Sequence, residues 1–178
     1  MSPYPAWPFL SDPSHPLLSA VWAVAIHGVI CLAAIAPIVW RSRRRAVYAG
    51  LACIGGSAID LDHFIVAGSL NLHTIETMSG RPDTHSLIFA VALALLALAL
   101  TRRPIAAWSV FAVTLAHLLF DAAGGSEHLF YPFSSLDGLP WIVCPIGTVA
   151  LALVSAVVAA AAMEPPRQAV ARRATAVS

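Results

Sequence analysis

The chain contains no lysine, and charged residues of any kind make up only 11% of it. A soluble domain carries about 25%, so a conventionally hydrated surface is excluded. Cysteine is equally scarce: Cys31, Cys53 and Cys144 are odd in number, lie in apolar segments and form no CxxC pair. That excludes a disulfide framework and a zinc ribbon. There is no internal repeat, and "MSPYPAWPFLSDPSHP" has no basic region ahead of its apolar residues. It reads as a proline-rich lip at a membrane surface, not as a cleaved signal peptide. What the chain does have is apolar: 59% hydrophobic residues and a mean hydropathy of +0.80. Such a composition is that of an integral membrane protein, and 178 residues leave no room beside the spans for a separate soluble domain.

Five segments are long and apolar enough to span: 17–40, 46–68, 85–101, 104–123 and 141–163. The third is short for a spanning helix, which needs about 17 to 25 residues. The expected fold is therefore all-α, a polytopic membrane helix bundle of about five transmembrane helices. Residues 1–16 form the extracytoplasmic lip, 17–163 the transmembrane domain and 164–178 a basic cytoplasmic tail. Short basic loops stay in the cytoplasm. Arg41, Arg43, Arg44 and Arg45, then Arg102 and Arg103, then Arg167, Arg172 and Arg173 all fall on one side of a five-span chain. The N-terminus is thus expected outside and the C-terminus inside, in a cell inner membrane. Arg81 alone lies on the outer side.

Counting about 1.5 Å per residue from each cytoplasmic end puts His27, Asp60 and His117 at one depth, about 20 Å up. Asp62, His63, His85 and Asp121 come about one turn higher. Ionisable groups at such depth are costly, by about 2.5 to 3.5 kcal/mol for an aspartate, and call for partners. Carboxylate and imidazole are the ligands of Zn²⁺, Mn²⁺ or Fe²⁺, whose charge offsets the carboxylates. On a regular helix Asp60 and His63 share a face, as do His117 and Asp121 in "HLLFD", so each pair is expected to bind an ion. Asp62 would point away unless Gly55 and Gly56 distort the helix.

The blocks "AIDLDHF", "GRPDTHSLIFA" and "AHLLFDAAGGSEHLFYPFSS" resemble those of the YdjM-like family of membrane-bound, predicted metal-dependent hydrolases. The resemblance covers about residues 55–135. It implicates Asp60, Asp62, His63, Arg81, Thr84, His85, Ser86, His117 and Asp121, with Pro132 and Phe133 shaping a loop, and it matches His27 to a histidine of the family's first helix. Gly80 stands where the family has a histidine before Arg81, and Pro82 where it has a glycine. A divalent metal is implied as cofactor, one or two ions, zinc first and manganese or iron next.

The expected activity is metal-assisted hydrolysis at the extracytoplasmic face. Asp60, His63, His85, His117 and Asp121, with His27 as a further candidate, are the expected ligands. Asp62 bridges two ions or serves as general base. Arg81, with a planar fork suited to phosphate, is expected to hold an anionic substrate, and the shallow depth favours a lipid phosphoester. Ser86 as a nucleophile ranks below this reading, because no nucleophile-elbow glycine pattern surrounds it; Ser86 and Thr84 are instead expected to cap the third helix. Trp22, Trp40, Trp108 and Trp141 read as an interfacial belt. The alternatives are a metal-binding or transport protein without catalysis, which the apolar inner halves of the spans disfavour, and a membrane adaptor. The expected partners are membrane lipids, and no nucleic acid is expected.

Overall fold

The computed structural model describes residues 16–71, 83–124, 127–136 and 139–163. The basic tail 164–178, Arg81 and all but the last residue of the lip lie outside them. Helix α1 runs Pro16–Arg41. The second span, Arg45–Ala67, is built in pieces: α2 (Arg45–Gly50), a π-helical turn (Leu51–Gly55), the single turn α3 (Gly56–Ala58) and α4 (Leu61–Ala67). Then come α5 (Leu87–Thr101) and α6 (Pro104–Gly124). A short antiparallel pair follows, β1 (Glu127–Phe130) with β2 (Ser134–Leu136), and then α7 (Val143–Ala162). The polytopic all-helical bundle is as expected, apart from the β pair, which falls where the sequence suggested only a soft loop.

Among the described residues, four helices are long and apolar enough to cross a membrane: Val21–Arg41, Arg45–Ala67, Pro104–Ala123 and Val143–Ala162. A helix of 20 residues is about 30 Å long, the thickness of a hydrocarbon core. The third expected span is the 15-residue α5, about 22 Å long. Its shortness has a local cause. Ser86 takes an extended backbone and its hydroxyl accepts from the Phe89 amide, so the helix cannot begin earlier. His85 is thereby held just outside the helix, buried among its neighbours.

Helix α6 is the hub, packed against α1, α5 and α7. Small side chains allow the approach: Ala34, Ala112, Ala116 and Ala159 are fully buried beside Ile35, Ile38 and Val113. Between membrane helices, where lipid is as apolar as leucine, such close contact is the main attraction. A polar tie also crosses the core. The Trp108 indole donates to Ser155 Oγ at 2.9 Å, and the Ser155 hydroxyl donates to the Ala34 carbonyl at 2.8 Å. Trp108 therefore anchors the bundle from within, unlike Trp22 and Trp40, which are exposed.

The second span meets α1 at Gly56. A Cβ there would lie 2.7 Å from Cys31 Sγ and 3.2 Å from Cys31 Cβ, so only glycine admits this crossing. The π-helical turn immediately before it and a tighter turn at Ile59 and Asp60, whose carbonyls accept from the Asp62 and His63 amides three residues on, break the regular phase. Such breaks re-aim side chains, and the site depends on them.

Candidate metal centre

Two residues come from one regular helix face. His117 and Asp121 stand one turn apart on α6, with His117 Nε2 3.0 Å from Asp121 Oδ2. The turn at Ile59 and Asp60 brings Asp60 to the same point, its Oδ1 3.3 Å from His117 Nε2. His85, leading into α5, closes the group: its Nε2 lies 3.5 Å from both Asp60 Oδ1 and Asp121 Oδ2. Asp60, His85, His117 and Asp121 thus present four ligand atoms, all within 4.8 Å of one another.

These separations are informative. A tetrahedral ion with bonds of about 2.0 to 2.1 Å holds its ligand atoms about 3.3 to 3.4 Å apart. The four measured edges run from 3.0 to 3.5 Å. Moreover, His117 Nε2 and His85 Nε2 are buried and make no hydrogen bond, although carboxylate oxygens are this near. Both nitrogens nevertheless lie within 4.8 Å of each other and of a ligand oxygen from each carboxylate. A buried nitrogen without a partner costs about 1 to 3 kcal/mol, and a cation among these atoms removes the cost. The residues fit a divalent ion.

A second group forms beside the first. Asp62 Oδ2 lies 3.3 Å from His85 Nδ1, and Asp62 Oδ1 lies 3.0 Å from His63 Nδ1. Asp62, His63 and His85 also place ligand atoms within 4.8 Å of one another. The expected sharing of one ion by Asp60 and His63 is not the arrangement found. Because the helix is interrupted between α3 and α4, Asp60 joins His117 and Asp121, while His63 joins Asp62 and His85.

His27 is at the cluster but outside both groups. Its Nδ1 meets the Ala23 carbonyl at 2.9 Å, its Nε2 lies 3.0 Å from Asp121 Oδ1, and its ring stacks on His117 with centroids 4.2 Å apart. It therefore stands behind Asp121, on the oxygen that does not face the other histidines. Thr84 does not cap α5 as expected; its hydroxyl donates to Asp62 Oδ2. Its place next to His85 in "THS" was the only signal for that role. Ser86 does cap. Phe133 is exposed in the turn between β1 and β2 and takes no part. Arg81 and Gly80 lie outside the described residues.

A family model described as YdjM inner membrane protein matches residues 13–177. The chain belongs to the YdjM inner membrane protein family. Comparison with curated proteins and with solved structures gave no match. The YdjM match extends well beyond the motif blocks at 55–135, taking in α1, which supplies His27, and α7. Helices outside the motif blocks thus share the family pattern with the site they support.

Proposed function

We propose that this YdjM family member is a membrane-embedded hydrolase that depends on a divalent metal and cleaves a phosphoester, a lipid phosphoester by preference. The observation that carries the reading is the convergence of Asp60, His85, His117 and Asp121 on one point inside an apolar bundle. Two imidazoles with two carboxylates suit zinc first, and manganese or iron next. When bound, such an ion supplies Lewis acidity and lowers the pKa of a water.

The remaining tasks fall to side chains. Asp60 and Asp121 supply the negative charge that holds the ion, and His27 fixes the Asp121 carboxylate through its far oxygen. His85 and His117 have no exposed surface, whereas the side chain of Asp60 is 29% exposed. Substrate is therefore brought in past Asp60. In this reading Arg81 binds the phosphate by its two-pronged donor face. The arginines at the ends of α1 and α6 support an extracytoplasmic site: Arg41 and Arg103 are each 14 residues from His27 and His117, about 21 Å along their helices. By the positive-inside rule this spacing favours a cluster toward the far leaflet of the inner membrane.

The test is turnover of a panel of lipid phosphoesters in mixed micelles by the metal-loaded protein, beside His117→Ala and Arg81→Ala. Cleavage lost in His117→Ala together with bound metal, and reduced in Arg81→Ala with metal retained, is the expected pattern. Arg81→Ala with unchanged turnover removes the phosphate-binding role, and a metal-loaded protein inert to the whole panel removes the phosphoesterase reading.

A further inference from the structure

We propose that the centre takes two divalent ions, not one, and that the imidazole ring of His85 bridges them: one ion on Asp60, His85 Nε2, His117 and Asp121, the other on Asp62, His63 and His85 Nδ1. The proposal rests on the metal-dependent reading above and assigns Asp62 a ligand's place in the second site, in place of the bridging or general-base role expected from sequence.

The observation behind it is His85. Its side chain has no exposed surface. A neutral imidazole owns one N–H and one lone pair, and each needs a partner when buried. Here neither nitrogen makes a hydrogen bond. Each nevertheless lies close to carboxylate oxygens on its own side, Nε2 3.5 Å from Asp60 and Asp121, Nδ1 3.3 Å from Asp62. A ring that only needed orienting would point one N–H along the line to Asp62. Instead both ends face ligand groups as ligands do around a shared ion.

The second group is built for the purpose. The Thr84 hydroxyl occupies Asp62 Oδ2, which leaves Asp62 Oδ1 for an ion, and that oxygen is buried without a hydrogen bond. His63 Nδ1 stands 3.0 Å from it. The rings of His63 and His85 meet edge to face with centroids 4.8 Å apart, and each offers a ligand atom within 4.8 Å of the other's and of Asp62's.

Charge supports two ions. Asp60, Asp62 and Asp121 bring three negative charges, and a bridging imidazolate brings a fourth. Two divalent ions neutralise those four charges in an apolar surround, where charge is expensive. Entry of the second ion releases the ring proton of His85 to solvent and needs no other reactant.

The experiment is titration of chelator-stripped, detergent-purified full-length protein with Zn²⁺, followed by mass spectrometry, for the unmodified chain, His63→Ala and Asp62→Asn. Circular dichroism checks the helices. Two equivalents in the unmodified chain and one in each variant are expected. A second readout is the paramagnetic resonance of copper-loaded protein, where an exchange-coupled pair is expected and isolated copper is expected in His63→Ala. A single equivalent in the unmodified chain with uncoupled copper overturns the proposal while leaving the first ion intact; Asp62 and His63 then serve only to hold His85. No bound ion at all overturns the metal-dependent reading as well. Should the variants not fold, the stoichiometry and copper spectrum of the unmodified chain decide alone.

Discussion

His27 Nε2 lies 3.0 Å from Asp121 Oδ1, joining the first membrane helix to α6 across 94 residues of sequence. With its other nitrogen at the Ala23 carbonyl, His27 has both ends committed and holds Asp121 with Oδ2 toward His117. Partners that orient a ligand typically carry roughly 10- to 100-fold of metal affinity. His27→Gln is therefore expected to weaken binding of the first ion by that order without changing the number of ions bound. Isothermal titration with Zn²⁺ reads both; an equivalent lost outright means that His27 is itself a ligand.

Gly56 sets the crossing of α1 with the second span. In Gly56→Ala the new Cβ meets Cys31 Sγ, which is buried and donates to the Val113 carbonyl at 3.3 Å. Overpacking of this kind costs about 1 to 3 kcal/mol. The cost is expected to fall in the double variant with Cys31→Ala, because the nearer of the two clashing atoms is removed. Thermal unfolding in detergent of the four members of the cycle measures the coupling. Additive losses contradict the contact.

Ser155 is a structural residue, and its variant is a control. Ser155→Ala removes the link from Trp108 to the Ala34 carbonyl. Interhelical hydrogen bonds in membranes average about 0.6 kcal/mol and reach about 1.7, so a loss in that range is expected. Metal content should be unchanged. A fall in bound metal shows that the core tie and the cluster are coupled.

Thr84 acts through Asp62. Thr84→Val keeps the shape and deletes the hydroxyl donor, and is expected to weaken the second ion by roughly 10- to 100-fold. Thr84→Ser restores it. Equal behaviour of the valine and serine variants in a Zn²⁺ titration removes that role.

Much of the site was legible because helical geometry is rigid. The i, i+4 spacing of His117 and Asp121 fixed their common face, and counting residues from the arginine loops brought His27, Asp60 and His117 to one level before any contact was seen. What escaped were the departures from regularity. A continuous helix would match Asp60 to His63, but the π-helical turn at Leu51–Gly55 and the break at Ile59 and Asp60 re-phase the span. Gly55 and Gly56 hinted that a distortion was possible, not where it would fall. Caps are local, so the sequence points to Thr84 as one, whereas its bond to Asp62 spans 22 residues. The β pair went unseen since strands of four and three residues leave little periodicity to read.

The most direct measurement is the metal content of the detergent-purified protein by mass spectrometry, beside Asp60→Ala and His117→Ala variants whose helicity is verified. The account predicts at least one equivalent of zinc or manganese at the Asp60, His85, His117 and Asp121 group, lost in both variants. A folded protein that binds no ion even after resupply contradicts it, and leaves the histidines and aspartates as a polar network that only ties the helices together.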